Sequence, residues 1–121
     1  MKYLITMYGN KAKWDSVPAD TWPQIVAAQD AFNRRYMESG ELLGAFGLAD
    51  ATDVRTVQVI DGVAKVGEGT VLGNSEYMAT FYLLDVENEE RALEIAADMP
   101  IAVQDPVELW PIHHEAPGSC G

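Results

Sequence analysis

With 121 residues, 48% of them apolar, the chain is long enough to bury one modest core and too short for two domains. Nineteen acidic against eight basic residues give a formal net charge of −11, which repels phosphate backbones and anionic lipid surfaces and argues against nucleic-acid or membrane partners. No apolar run reaches about 18 residues and no small-residue cleavage site follows the first apolar segment, so neither a membrane span nor a signal peptide is expected and a cytoplasmic location is the default.

In KYLITMY, the set Tyr3, Ile5, Met7 alternates with Leu4, Thr6, Tyr8, and both sets are largely apolar. That is the pattern of a central strand covered on two faces. Gly9 and Asn10 end it, and a polar loop with Lys11, Lys13, Trp14 and Pro18 leads to a helix start at Asp20 or Thr21, with Pro23 tolerated in the first turn. Ile25, Ala28, Phe32 and Tyr36 then recur at three- and four-residue steps, predicting one apolar stripe that faces a sheet, and Gly40 supplies the stop.

ELLGAFGL reads as a short strand. Residues 54–60 and 63–66 flank Asp61-Gly62, the favoured two-residue hairpin turn. Gly67, Gly69 and Gly73 mark a loop, and a strong strand follows from Tyr77 to Leu84. Asn88 is a good N-cap, with Glu89 and Glu90 at the positive end of the helix dipole, and Ala92, Leu93, Ile95 and Ala96 form the expected buried stripe of a second helix ended by Pro100. A last strand runs from Val107 to Ile112. The order β-α-β-hairpin-β-α-β predicts an α+β fold, a ferredoxin-like split βαβ with an antiparallel sheet and extra strand material in the middle. Two helices cover only one face of such a sheet, yet the strands are apolar on both. A homodimer with sheet facing sheet is therefore expected.

The segments MKYLITMYGN, GELLGAFGL, TVQVIDG, GEGTVLGNSEYMATFYLLDV and VELWPI, in this order and spacing, resemble the YCII-related domain family, in its DGPF branch. The resemblance runs through almost the whole chain and implies one domain over residues 1–114 and a dimeric α/β barrel; residues 115–121, with Pro117 and Gly118, are expected to form a flexible tail. Glu68, Gly69, Thr70 and Val71 stand where the branch has Asp-Gly-Pro-Phe, and Trp110 stands where its last strand usually has Arg. Relatives in the wider group often carry a histidine on the first helix, paired with an aspartate, as the basis of a suspected lyase or dehalogenase activity. Gln29 falls at or near that position here, and Gln cannot take a proton.

Residues able to carry proton chemistry are scarce. The two histidines, His113 and His114, are adjacent just beyond the last strand; either is a candidate base if a carboxylate such as Glu68 or Glu76 orients it, against the plainer reading of a solvated pair. Glu68 is a candidate acid or base if Val71, Phe46 or Trp110 desolvates it, against the plainer reading of a carboxylate satisfied by backbone amides. Tyr8, Phe46, Tyr82 and Trp110 are candidates to line a pocket between helix and sheet, with Gln29, Tyr77 and Tyr82 available for hydrogen bonds to a substrate. No Cys or His pattern has metal-site spacing, no glycine-rich phosphate loop lies between a strand and a helix, and no cofactor is indicated. Cys120, alone in the tail, is expected to be an incidental thiol.

Two functions follow as expectations. One is a cofactor-independent enzyme of the lyase, cyclase or isomerase type, working by acid–base chemistry on a small organic metabolite of secondary metabolism, with Glu68, His113 and His114 as catalytic candidates. The other is a non-catalytic ligand-binding or accessory dimer.

Overall fold

The computed structural model describes residues 1–9, 11–73, 75–103 and 105–118, with Lys11 and Lys13 described by backbone alone; Cys120 lies outside the described residues. The elements follow as β1 (Lys2–Gly9), α1 (Lys11–Asp15), α2 (Trp22–Glu38), β2 (Leu42–Gly47), β3 (Arg55–Ile60), β4 (Val63–Glu68), β5 (Tyr77–Asp85), α3 (Glu89–Ala97) and β6 (Val107–Pro111). Strands β1, β2, β5 and β6 form one antiparallel sheet in the order β2-β5-β1-β6. With α2 and α3 as the two crossovers, this is the ferredoxin-like α+β arrangement, and the β3-β4 hairpin is a separate two-stranded insertion.

Both helices cover the same face of the sheet. Tyr3 and Ile5 of β1 pair with Leu84 and Tyr82 of β5, and these four pack with Phe32 and Tyr36 of α2 and with Ala92, Ile95 and Ala96 of α3. Ile5, Leu84 and Ile95 are completely buried, a contribution of about 1.5–3 kcal/mol each. Leu93, expected in the α3 stripe, is half exposed; the stripe closes instead through Met99, seven residues after Ala92 and again on the inner side.

Alternation sends Leu4, Thr6 and Tyr8 to the other face, beside Phe81 and Leu83 of β5, Phe46 of β2, and Glu108 and Trp110 of β6. Phe46 stacks on Phe81 with ring centroids 4.9 Å apart. On this face Thr6 is buried and Leu4, Phe81 and Leu83 are partly exposed, whereas Phe46 and Trp110 are about half exposed.

In the hairpin, Asp61 (φ 52°) and Gly62 (φ 77°) both adopt the left-handed conformation a tight two-residue turn requires. The pairing extends past the expected end, to Thr56 opposite Gly67 and Arg55 opposite Glu68, so the first of the three glycines and Glu68 are strand rather than loop. Val57, Val59 and Val66 of the hairpin are each about two-thirds exposed.

One polar clamp ties α3 to the rest. Asn88 accepts a hydrogen bond from the Arg91 backbone N–H at 2.9 Å and starts the helix. Arg91 then reaches Glu41, just ahead of β2, with two parallel contacts of 2.7 and 2.9 Å. Beside it, the Tyr36 hydroxyl donates to Asp98 at 2.7 Å, and Arg35 of α2 pairs with that same carboxylate at 3.2 Å. The hydrogen bond from Arg91 holds the Glu41 carboxyl below its ordinary value of 4.5. A carboxylate with a depressed folded pKa adds stability that is complete above its unfolded value and fades as the pH falls through the folded one. Arg91→Ala is therefore expected to lower the Tm at pH 7, and the gap from the unmodified protein should close as the pH is taken down through the acid range. A gap independent of pH would assign the effect to lost packing alone, and calorimetry across that range decides it.

Candidate ligand-binding site

The stripe on α2 does two jobs. Phe32 and Tyr36 are buried against the sheet, whereas Ile25, seven residues before Phe32, is 39% exposed and Ala28, four residues before it, is exposed as well. The N-terminal half of the helix stands off the sheet and roofs a cavity of about 800 Å³. That size lies within the roughly 300–1,000 Å³ of small-molecule sites. Trp22, Ile25, Val26, Gln29 and Asn33 form its roof; Met7, Ala45, Thr80 and Tyr82 line it from the sheet; Trp14 and Val17 close one side, and Pro100, Ile101 and Asp105 contribute from beyond α3.

Trp14 owes its place to two neighbours. It meets the Tyr77 ring edge-on at 5.6 Å, and its indole lies so close to Gly9 that a β-carbon there would sit 2.9 Å from Trp14 Cζ2. Tyr77 is itself held by a hydrogen bond from its hydroxyl to the Asp50 carboxylate, and this bond is the chief cause that raises the Tyr77 pKa. The segment that the sequence presents as a polar loop is thus helical at α1, because the turn lets Trp14 fold back over Gly9.

Tyr82 is the buried polar group of the cavity. Removal from water pushes its phenol up to about 12, and a hydrogen-bonding contact from the Gln29 side chain works in the opposite direction. The phenol therefore keeps its proton throughout the neutral range and acts as a donor. Gln29 also donates to Asn33 Oδ1 at 3.0 Å, one turn along α2. Hence three adjacent side chains, two amides and a phenol, form a polar strip within otherwise apolar walls.

Of the residues singled out from the sequence, Tyr8, Gln29, Phe46 and Tyr82 border this cavity. Tyr8 and Phe46 belong by alternation to the opposite face of the sheet and contribute at its margin, Tyr8 beside the bulge at Met7/Tyr8 and Phe46 on the edge strand. Tyr77 stands behind the wall, acting through Trp14. Trp110 is on the far face of the sheet, where its indole N–H donates to Glu108 Oε1 at 3.1 Å. Glu68 is exposed at the end of β4, and His113 and His114 are exposed after β6; none of these three borders the cavity. Glu76 borders a second, smaller hollow of about 370 Å³ with Tyr8, Asp105, Pro106 and Glu108. Among the described residues, no group of three or more His, Cys, Asp or Glu side chains is placed to hold a metal ion.

Sequence reasoning passes over Val26, Asn33 and Asp105 as site residues. A usable signal exists for Asn33: two amides at i and i+4, Gln29 and Asn33, run alongside the apolar stripe, where a helix fully packed on a sheet would carry aliphatic groups. Asp105 has no such signal, because the chain reaches the cavity there only through the turn after α3.

The order of the sheet and its two crossover helices place the chain among α+β proteins of the ferredoxin-like class. The model of the YCII-related domain family matches residues 1–114, and the chain belongs to that family. It is also similar to the uncharacterized protein R00369 of Rhizobium meliloti (strain 1021), 24% identical over 122 residues that span 90% of this chain and 98% of that protein. No helix among the described residues is long and apolar enough to cross a membrane.

Gly9→Ala is expected to push Trp14 off its seat, reducing the near-ultraviolet circular dichroism and costing about 1–3 kcal/mol in urea unfolding. Gly47→Ala is the matched control, since a β-carbon there meets nothing within 4 Å and should change neither. Equal behaviour of the two variants would disprove the packing role given to Gly9.

Proposed function

We propose that the protein is a DGPF-branch member of its family that works as a homodimer and binds a small organic molecule in the cavity under α2. The cavity itself carries this reading: its volume suits a metabolite, and its walls combine Trp14, Trp22, Ile25 and Val26 with the polar strip of Gln29, Asn33 and Tyr82. A second reading, a cofactor-independent enzyme of the lyase, cyclase or isomerase type, is supported by a protonated phenol on Tyr82 and the carboxylate of Asp105 bordering one cavity. In that reading Tyr82 supplies the acid. Glu68, His113 and His114 take part only where assembly brings them over a cavity.

The dimer is supported by the uncovered sheet face. Leu4, Phe46, Phe81, Leu83 and Trp110 make it apolar over several strands, and soluble monomers rarely leave patches larger than roughly a few hundred Å² in water. Mutual repulsion of two chains of charge −11 opposes assembly modestly and is screened at physiological salt.

Two measurements test these statements. Nile red, a neutral apolar dye, should bind saturably at one molecule per chain, and Ala28→Trp, which fills the cavity from an exposed helix position, should abolish the binding with the Tm unchanged. Binding that survives in Ala28→Trp would move the site elsewhere. In analytical ultracentrifugation the protein should sediment at twice the chain mass, and Trp110→Glu should sediment as a folded monomer; a monomeric unmodified protein would refute the dimer.

A further inference from the structure

The distribution of hydrogen-bond donors and acceptors inside the cavity deepens the binding proposal, on which this inference rests. Gln29 gives one amide N–H to Asn33 Oδ1 at 3.0 Å, and the same amide group makes its further contact with the Tyr82 oxygen. An amide nitrogen has two hydrogens, and both are engaged in this way. The Asn33 oxygen is taken up as an acceptor, which leaves its NH2 as the half on offer. The Tyr82 oxygen accepts from Gln29, which leaves its O–H. Against these two donor groups stands one amide acceptor, the Gln29 carbonyl oxygen.

Tyr82 is the sharper of the two donors. Its side chain is held in the core with Phe32 edge-on to the ring at 5.9 Å, and the residue is 2% exposed. Burial keeps the proton on the phenol through the neutral range. Tyr36 and Tyr77 each give their hydroxyl proton to a carboxylate, of Asp98 and Asp50 respectively. Tyr82 has no such acceptor among the described residues, its polar neighbour being the Gln29 N–H. A buried donor without an acceptor is a standing cost, which an acceptor brought by a ligand removes. A carbonyl oxygen has two lone pairs and can accept from two donors at once, and Trp14 and Trp22 add flat apolar faces to the same cavity.

We infer that the cavity recognises an aromatic molecule through a carbonyl oxygen, of an aryl ketone, aldehyde or amide, which accepts one hydrogen bond from the Tyr82 hydroxyl and a second from the Asn33 amide. Gln29 is the positioning residue: by occupying the oxygens of both neighbours it leaves their donors to the ligand.

The test uses two probes of one shape, 2-acetonaphthone and 2-isopropenylnaphthalene, in which a C=CH2 group replaces the C=O, each titrated against protein-bound Nile red. Both should displace the dye. Tyr82→Phe keeps the ring and removes the hydroxyl; it should weaken the ketone about tenfold, which corresponds to about 1.4 kcal/mol, and leave the alkene unchanged. Gln29→Glu tests the positioning role, since a carboxylate only accepts and draws the donors of Tyr82 and Asn33 to itself, so the ketone should weaken there too. Infrared spectra of the ketone labelled at its carbonyl carbon give a readout that packing alone does not move. The bound C=O stretch should lie below its position in a hydrocarbon solvent and move back toward it in both variants. Equal weakening of ketone and alkene in Tyr82→Phe, or a bound carbonyl band at the hydrocarbon-solvent position, overturns the carbonyl class and leaves the cavity itself intact. Dye that neither probe displaces overturns the aryl class, and absence of dye binding overturns the cavity reading beneath it.

Discussion

Everything distinctive about this molecule depends on α2 being anchored at one end. Phe32 and Tyr36 press onto the sheet, with the Phe32 ring edge-on to Tyr82 at 5.9 Å. Tyr36 is further fixed by Asp98 and sits under the guanidinium groups of Arg35 and Arg91, 5.3 and 5.8 Å from its ring centre. With the C-terminal half held so firmly, the N-terminal half can stand off the sheet without loss of register. The space beneath it is the cavity.

The same anchoring gives Tyr82 a structural role and, in the binding proposal, a second one. Its ring completes the aromatic cluster with Phe32 and Tyr36, while the end of the side chain reaches Gln29 and the cavity. A group held by packing on one side and presented to a ligand on the other loses little conformational entropy on binding. Trp14 follows a comparable logic at the opposite wall, where Gly9, Tyr77 and Asp50 together hold an indole that would otherwise belong to a mobile connection.

The strands and helices were largely legible in the residues. Period-two alternation in β1 and β5, the Asp61-Gly62 turn, the Asn88 cap and the Gly40 stop are local signals, and each element appears where its signal lies. Legibility failed where long-range contact overrode local composition. Gly67 and Glu68 read as loop because glycine weakens a strand, yet cross-strand pairing with Thr56 and Arg55 carries β4 through them. The segment at Lys11–Asp15 reads as polar loop because its packing partner, Gly9 with Tyr77 behind it, is partly distant in sequence. For the cavity, Tyr8, Phe46 and Tyr82 were recognisable as aromatic groups on strands and Gln29 by its place near the histidine of the resembled family's first helix, whereas Trp110, put forward because it stands where the resembled branch has Arg, is sent to the other face by strand parity.

Sequence by itself determined the class of fold, the family, the acidic balance of charge, and the buried residues Tyr3, Ile5, Tyr82 and Leu84 of the two central strands, because periodicity and capping act over a few residues and leave a direct trace in the order of side chains. Only the tertiary structure decided that half of the α2 stripe packs and half lines a cavity, and that Glu68, His113 and His114 stand apart from Gln29 and Tyr82. The physical reason is that an apolar side chain satisfies the same periodicity whether it meets another side chain or an empty space, and the separation of two surfaces is set by how the remote ends of the elements are held.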